Sequence, residues 1–157
     1  MADYEDAKKI QETLSKANQN WGDGKLFAVT DIYLRGTVTS RIAYILDGRD
    51  IDYVTVDMTA GEDEFRILLF TEGLLFDVTY SKVQGVLITA TPLSALERVR
   101  MVDGPDYLRS ETEDVLARAV VTIDGEELLL PADGSTSANA TKFHEFLPRL
   151  VERLADH

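Results

Sequence analysis

Cysteine is absent from all 157 positions. Disulfide frameworks, thiol nucleophiles, cysteine-ligated zinc and iron–sulfur clusters are therefore excluded. Histidine is scarce, with two residues, so histidine-rich metal sites have no ligands to draw on. No apolar run approaches the roughly 18 residues that a membrane-spanning helix needs. Positive charge is in short supply: 16 basic side chains face 28 acidic ones, a formal net charge of -12. Nucleic-acid binding depends on Lys and Arg neutralising phosphates, and anionic lipid surfaces attract the same residues. Neither partner is expected. The densest basic cluster is Arg98 and Arg100, with Arg109 and Arg118 further on. Glu97, Asp103, Asp106, Glu111, Glu113 and Asp114 surround it, which is the pattern of a mixed solvated surface.

Signature motifs are missing as well. There is no Gly-x-Ser-x-Gly elbow and no His-Glu-x-x-His helix. Neither phosphate-cradling glycine pattern occurs, and Gly22-Asp23-Gly24 fits the end of a helix. Asp47, Asp50 and Asp52 are crowded, but Met58 stands where a calcium loop places its last carboxylate. Glu62, Asp63 and Glu64 belong to a turn. His144 lies off the apolar stripe of its helix, and His157 is the last residue given. Asp77 is the unusual acid, set in an otherwise apolar strand where it faces the same way as Leu75 and Thr79. These residues lead to the expectation of no enzyme, no cofactor and no metal.

What is present is patterned apolar sequence. Apolar residues make up 45% of the chain, enough for a packed core. A length of 157 residues suits one domain. Met1-Ala2-Asp3-Tyr4-Glu5-Asp6 is acidic and unlike a signal peptide, so a cytoplasmic protein is expected. Asp3 to Trp21 predicts a helix, with Ala7, Ile10, Leu14, Ala17 and Trp21 on one stripe. This helix, residues 1–24, is either an appendage or part of the domain formed by residues 25–157. Its Ile10, Leu14, Ala17 and Trp21 stripe is a candidate interaction surface; the alternative is packing on the body of the domain.

Period-two patterning follows. Leu26 to Leu34 and Arg41 to Leu46 are expected as short strands parted by Gly36. Ile51 to Met58, Phe65 to Phe70, Leu74 to Tyr80, Val86 to Thr91 and Glu97 to Val102 continue the series. Phe65 to Phe70, the most apolar, should be central. Glu72-Gly73 and Asp124-Gly125-Glu126 mark hairpin turns, the second joining Val115 to Ile123 with Glu127 to Leu130. Ser137 to Leu154 forms a wide amphipathic helix, in which Pro148 is expected to cause a kink or break at Leu147.

Leu69-Phe70-Thr71-Glu72-Gly73-Leu74-Leu75-Phe76 resembles a hairpin of bacterial pleckstrin-homology-like (PH-like) domains. Thr91-Pro92-Leu93-Ser94-Ala95-Leu96-Glu97-Arg98-Val99 is similar to that family's crossover into its second sheet. A further hairpin and a C-terminal helix with an early Phe143 complete the order, so the resemblance spans roughly residues 51–154. It implies an α+β, mainly β fold: an antiparallel split barrel capped by the helix at 137–155, with the N-terminal amphipathic helix added. Lipid-binding members carry a basic first loop. Here Thr59-Ala60-Gly61-Glu62-Asp63 is acidic, and phosphoinositide binding does not carry over. Protein binding or self-association remains, through the helix stripe or an exposed sheet edge. Two alternatives stand beside it: a small acidic cytoplasmic chaperone for a secreted client, and a ligand-binding barrel lined by Tyr33, Tyr44, Tyr53, Tyr80 and Asp77.

Overall fold

The structure, a computed structural model, describes residues 2–23, 32–58, 64–108 and 115–156. Expectations for residues 24–31, 59–63, 109–114 and 157 lie outside the described residues. Three helices come first: α1 (Tyr4–Ala17), α2 (Gln19–Asp23) and α3 (Ile32–Leu46). Seven strands follow: β1 (Tyr53–Asp57), β2 (Phe65–Phe70), β3 (Leu74–Ser81), β4 (Gly85–Pro92), β5 (Leu96–Asp103), β6 (Arg118–Ile123) and β7 (Glu126–Leu130). A 3-10 turn, Leu93–Ala95, joins β4 to β5, and α4 (Ser137–Ala155) closes the order. The strands form two antiparallel sheets, β1-β2-β3-β4 and β5-β6-β7. Among the described residues no helix is long and apolar enough to cross a membrane.

Local chemistry explains the boundaries. Asp3 caps α1 by accepting from the Asp6 backbone N–H, while the Asp6 carboxylate accepts from the Asp3 N–H. This reciprocal box satisfies donors that a helix start leaves free. Asp124 and Gly125 both hold positive φ, 49° and 78°, as the turn between β6 and β7 demands. Thr136 caps α4 by accepting from the Asn139 N–H.

The chain builds two hydrophobic cores, one on each face of the first sheet. Val54, Val56, Ile67, Leu69, Phe76 and Val78 face the helical layer, where they pack with Ile10, Leu14, Val38 and Ile42. Tyr53, Leu68, Phe70 and Leu75 face the second sheet and α4, meeting Val121, Leu130, Phe143 and Phe146. β2 is covered on both sides from Ile67 to Phe70, which accounts for that four-residue apolar run. The N-terminal helices thus belong to the packed body of the protein.

Three expectations are corrected here. The segment expected as strands up to Leu34 and again from Arg41 to Leu46 is helix from Ile32 to Leu46. Its β-branched residues favour strands locally, but Val38, Ile42 and Leu46 recur every four residues and are buried. Burial of that stripe outweighs the weak local preference. The break expected at Leu147 is absent, since α4 runs through Pro148. Pro148 lies on the exposed side, where water can bond the carbonyl that its missing N–H leaves free. Third, the candidate surface formed by Ile10, Leu14, Ala17 and Trp21 is interior: all four are buried. Trp21 meets Phe65 edge to face at 5.3 Å and donates its indole N–H to Gln11.

Candidate protein-interaction surface

Two sheets without closure leave four strand edges, β1, β4, β5 and β7. An edge presents unpaired N–H and C=O groups, which must be covered, bonded or left open to another chain. The four edges are treated differently.

β1 is sealed by asparagines. The Asn139 side-chain amide donates to the Val54 carbonyl at 2.7 Å, and that of Asn18 donates to the Val56 carbonyl at 2.9 Å. Both asparagines are buried. The Tyr53 hydroxyl donates to Asn139 Oδ1 at 2.7 Å, so the amide is used at both ends. Burial holds the Tyr53 phenol well above its ordinary range. The asparagines are placed by a clasp between helices: the Thr136 N–H and hydroxyl donate to the Ala17 and Lys16 carbonyls at the end of α1. Gly134 makes room for this clasp. It holds a φ of +84°, and a Cβ there would meet Asn18 Nδ2 at 3.3 Å.

β7 faces the first sheet across a seam. Arg66 on β2 grips Asp77 on β3 with two hydrogen bonds, 3.0 and 2.6 Å, and reaches Glu126 on β7 at 2.5 Å. The paired guanidinium lowers the Glu126 carboxyl, and its two carboxylate partners raise Arg66 further above its already high range. Just past β7 the Ala132 N–H donates to Thr55 on β1 at 2.9 Å. A cleft of about 200 Å³ remains in this seam.

Among the described residues no side chain bonds the outward backbone groups of β4 or β5. Among the described residues β4 pairs with β3 alone and β5 with β6 alone. Each is eight residues long, and they meet at the turn between them. Leu87 on β4 is 47% exposed, and Met101 on β5 is 59% exposed. No residue of β4 is charged. β5 carries Arg98 and Arg100, both exposed, opposite Thr122 and Val120 on β6. The acids at its two ends are engaged locally: Glu97 accepts from the Gly125 N–H and Asp103 from the Gly104 N–H. Arg118 reaches the sheet face opposite Asp103 and pairs with exposed Asp133 at 3.4 Å. The structure thus brings Arg98, Arg100 and Arg118 onto one sheet, a grouping visible in the sequence only as scattered basic residues. Arg109 lies outside the described residues.

The residues considered for a pocket do not converge. Tyr33 and Tyr44 are exposed on α3, while Tyr80 stacks on Phe65 within the first core. Tyr53 lies in the second core among Phe70, Phe143 and Phe146. Asp77 is held by Arg66. His144 accepts the Ala117 N–H at Nδ1, pinning the approach to β6 against α4. Asp50 and Asp52 line a separate cavity of about 420 Å³ between α1, the end of α3 and α4, together with Lys9, Arg49 and Lys142. Among the described residues no three His, Asp or Glu side chains gather as a metal site would require. Compared with protein families, curated proteins and solved structures, the chain matches none of them.

Proposed function

We propose that this protein is a non-enzymatic binding or scaffolding module of PH-like type that takes an extended segment of a protein partner onto its open strand edges. One observation carries the reading. Two edges are closed by dedicated side chains, while β4 and β5 are left as adjoining eight-residue edges with apolar side chains exposed. Strand addition uses such an edge: backbone hydrogen bonds supply affinity and alternate side chains supply selectivity. The order of four strands, three strands and a C-terminal helix supports the PH-like type. The unbroken strand run also favours this reading over a secretion chaperone, in which helices interleave with strands. Photo-crosslinking side chains at Leu87, Met101 and, as a control, exposed Tyr44 test it in the source cells. Capture of the same protein from Leu87 and Met101 but not from Tyr44 supports the edge. Capture from Tyr44 alone, or from none, counts against it.

A second reading has one observation of its own. The 420 Å³ cavity is large enough for a small ligand, and it is lined by both cations and carboxylates. A zwitterionic metabolite would suit it. Thermal-shift screening with amino acids and other zwitterions, repeated on Lys142→Ala, tests it.

A further inference from the structure

We propose that β5 selects partners whose extended segment alternates acidic and apolar residues. The inference rests on the edge-binding reading and names the partner's chemistry. Side chains along a strand point to alternate faces, so Arg98 and Arg100 share one face of β5. Val99 and Met101 share the other, opposite Val121 and Ala119 on β6. A strand added antiparallel to β5 sets residues two apart in its own sequence opposite Arg98 and Arg100. Carboxylates at those two places meet the guanidinium pair, and the residue between them lies beside half-buried Val99.

Charge favours this partner over the others. Among the described residues Arg98 and Arg100 have no ion-pair partner, although the chain carries 28 acidic side chains. The two acids nearest them on β5, Glu97 and Asp103, are bonded to backbone N–H groups. A second copy fits poorly. Two β5 strands paired antiparallel about Val99 would set Arg98 against Arg100 on both sides, and directly opposed like charges destabilise a strand pair. A basic segment would add to that repulsion. β4 has no charge to discriminate with, so the selectivity resides on β5.

The test uses the full chain and three short labelled peptides: alternating Glu and Val, alternating Gln and Val, and alternating Lys and Val. Affinity is read by fluorescence anisotropy and the contact surface by amide chemical shifts. The Glu peptide is expected to bind best and to shift the amides of Leu96 to Asp103. Its affinity should fall about tenfold in the Arg98→Glu/Arg100→Glu variant, the scale of two exposed charge pairs lost. It should also weaken near 1 M salt, where the screening length is about 3 Å. Both arginines are exposed, so the variant retains its core, which far-ultraviolet circular dichroism checks. Equal binding of the Glu and Gln peptides at β5 overturns the acidic selectivity and leaves the edge reading standing. Shifts on β4 alone overturn the selectivity of β5 and leave the edge reading standing, and no shift on β4 or β5 with any peptide overturns both. Concentration-dependent β5 shifts without peptide overturn the proposal in favour of a second copy.

Discussion

Replacing Asn139 by Ala would expose how much of the fold depends on the sealed edge. The substitution removes the donor to the Val54 carbonyl and the acceptor of the Tyr53 hydroxyl, both in the interior. A buried polar group left without its partner costs about 1–3 kcal/mol. Two such groups give about 2–6 kcal/mol, less about 0.5 kcal/mol regained because Ala is the better helix former. Against a total stability of about 5–15 kcal/mol, that is a severe loss for one side chain. It corresponds to a fall in melting temperature of roughly 5–15 °C for a chain of this size. Urea unfolding followed by circular dichroism reads the change as a lower midpoint at constant slope. A double-mutant cycle with Tyr53→Phe isolates the hydroxyl–amide bond, since the ring contacts to Phe143 and Phe146 remain. A coupling of about 1–2 kcal/mol is expected. A loss below about 0.5 kcal/mol, with no coupling, would refute the claim that Asn139 seals β1.

Other expectations follow from the same contacts. Leu14→Ala should destabilise the protein by about 2–5 kcal/mol, because Leu14 is fully buried between the helices and the first sheet; a purely surface role would leave the denaturation midpoint unchanged. Gly134→Ala should cost about 1–3 kcal/mol through its positive φ and its approach to Asn18, whereas Gly73→Ala, with open space around it, should cost less. At high pH the folded state holds the Tyr53 proton more tightly than the unfolded chain, whose tyrosine titrates near 10.0. Stability from this group is complete below that pH and falls above it, and Tyr53→Phe should flatten the alkaline limb of a midpoint-against-pH curve. The lowered Glu126 carboxyl acts at the other end: its contribution is full above the ordinary value of 4.5 and is lost as the pH falls below it. Glu126→Gln should remove that acid dependence.

Much of the strand order was legible because alternation and turn chemistry agree there. Phe65–Phe70 and Asp124-Gly125 each combine a local preference with a tertiary demand and lie where their residues indicate; Glu72-Gly73 also turns between β2 and β3, but Gly73 takes no positive φ there. The α3 region was illegible for the opposite reason. Thr37, Val38, Thr39 and Ile42 favour strands locally, and only the spacing of Val38, Ile42 and Leu46 signals a helix. The α1 stripe was seen but could not be placed, since a sequence shows which face is apolar and not what covers it. What covers it is α3 and the first sheet. The open edges were hidden for a deeper reason. Whether a strand is central or at an edge depends on pairings across the chain, and Asn139 and Val54 meet only after the fold brings them together. Arg98 and Arg100 form a visible cluster in the sequence, but the engagement of Glu97 and Asp103 by backbone N–H groups is a matter of geometry.

Amide hydrogen exchange of the isolated protein tests the claim of two open edges most directly. Along β4 and β5, amides bonded to β3 and β6 should exchange slowly, while the alternate amides facing outward should exchange as fast as those of exposed loops. That alternation, residue by residue, is the expected result. Uniformly slow exchange along both strands would show the edges already occupied, and would contradict a binding surface built on them.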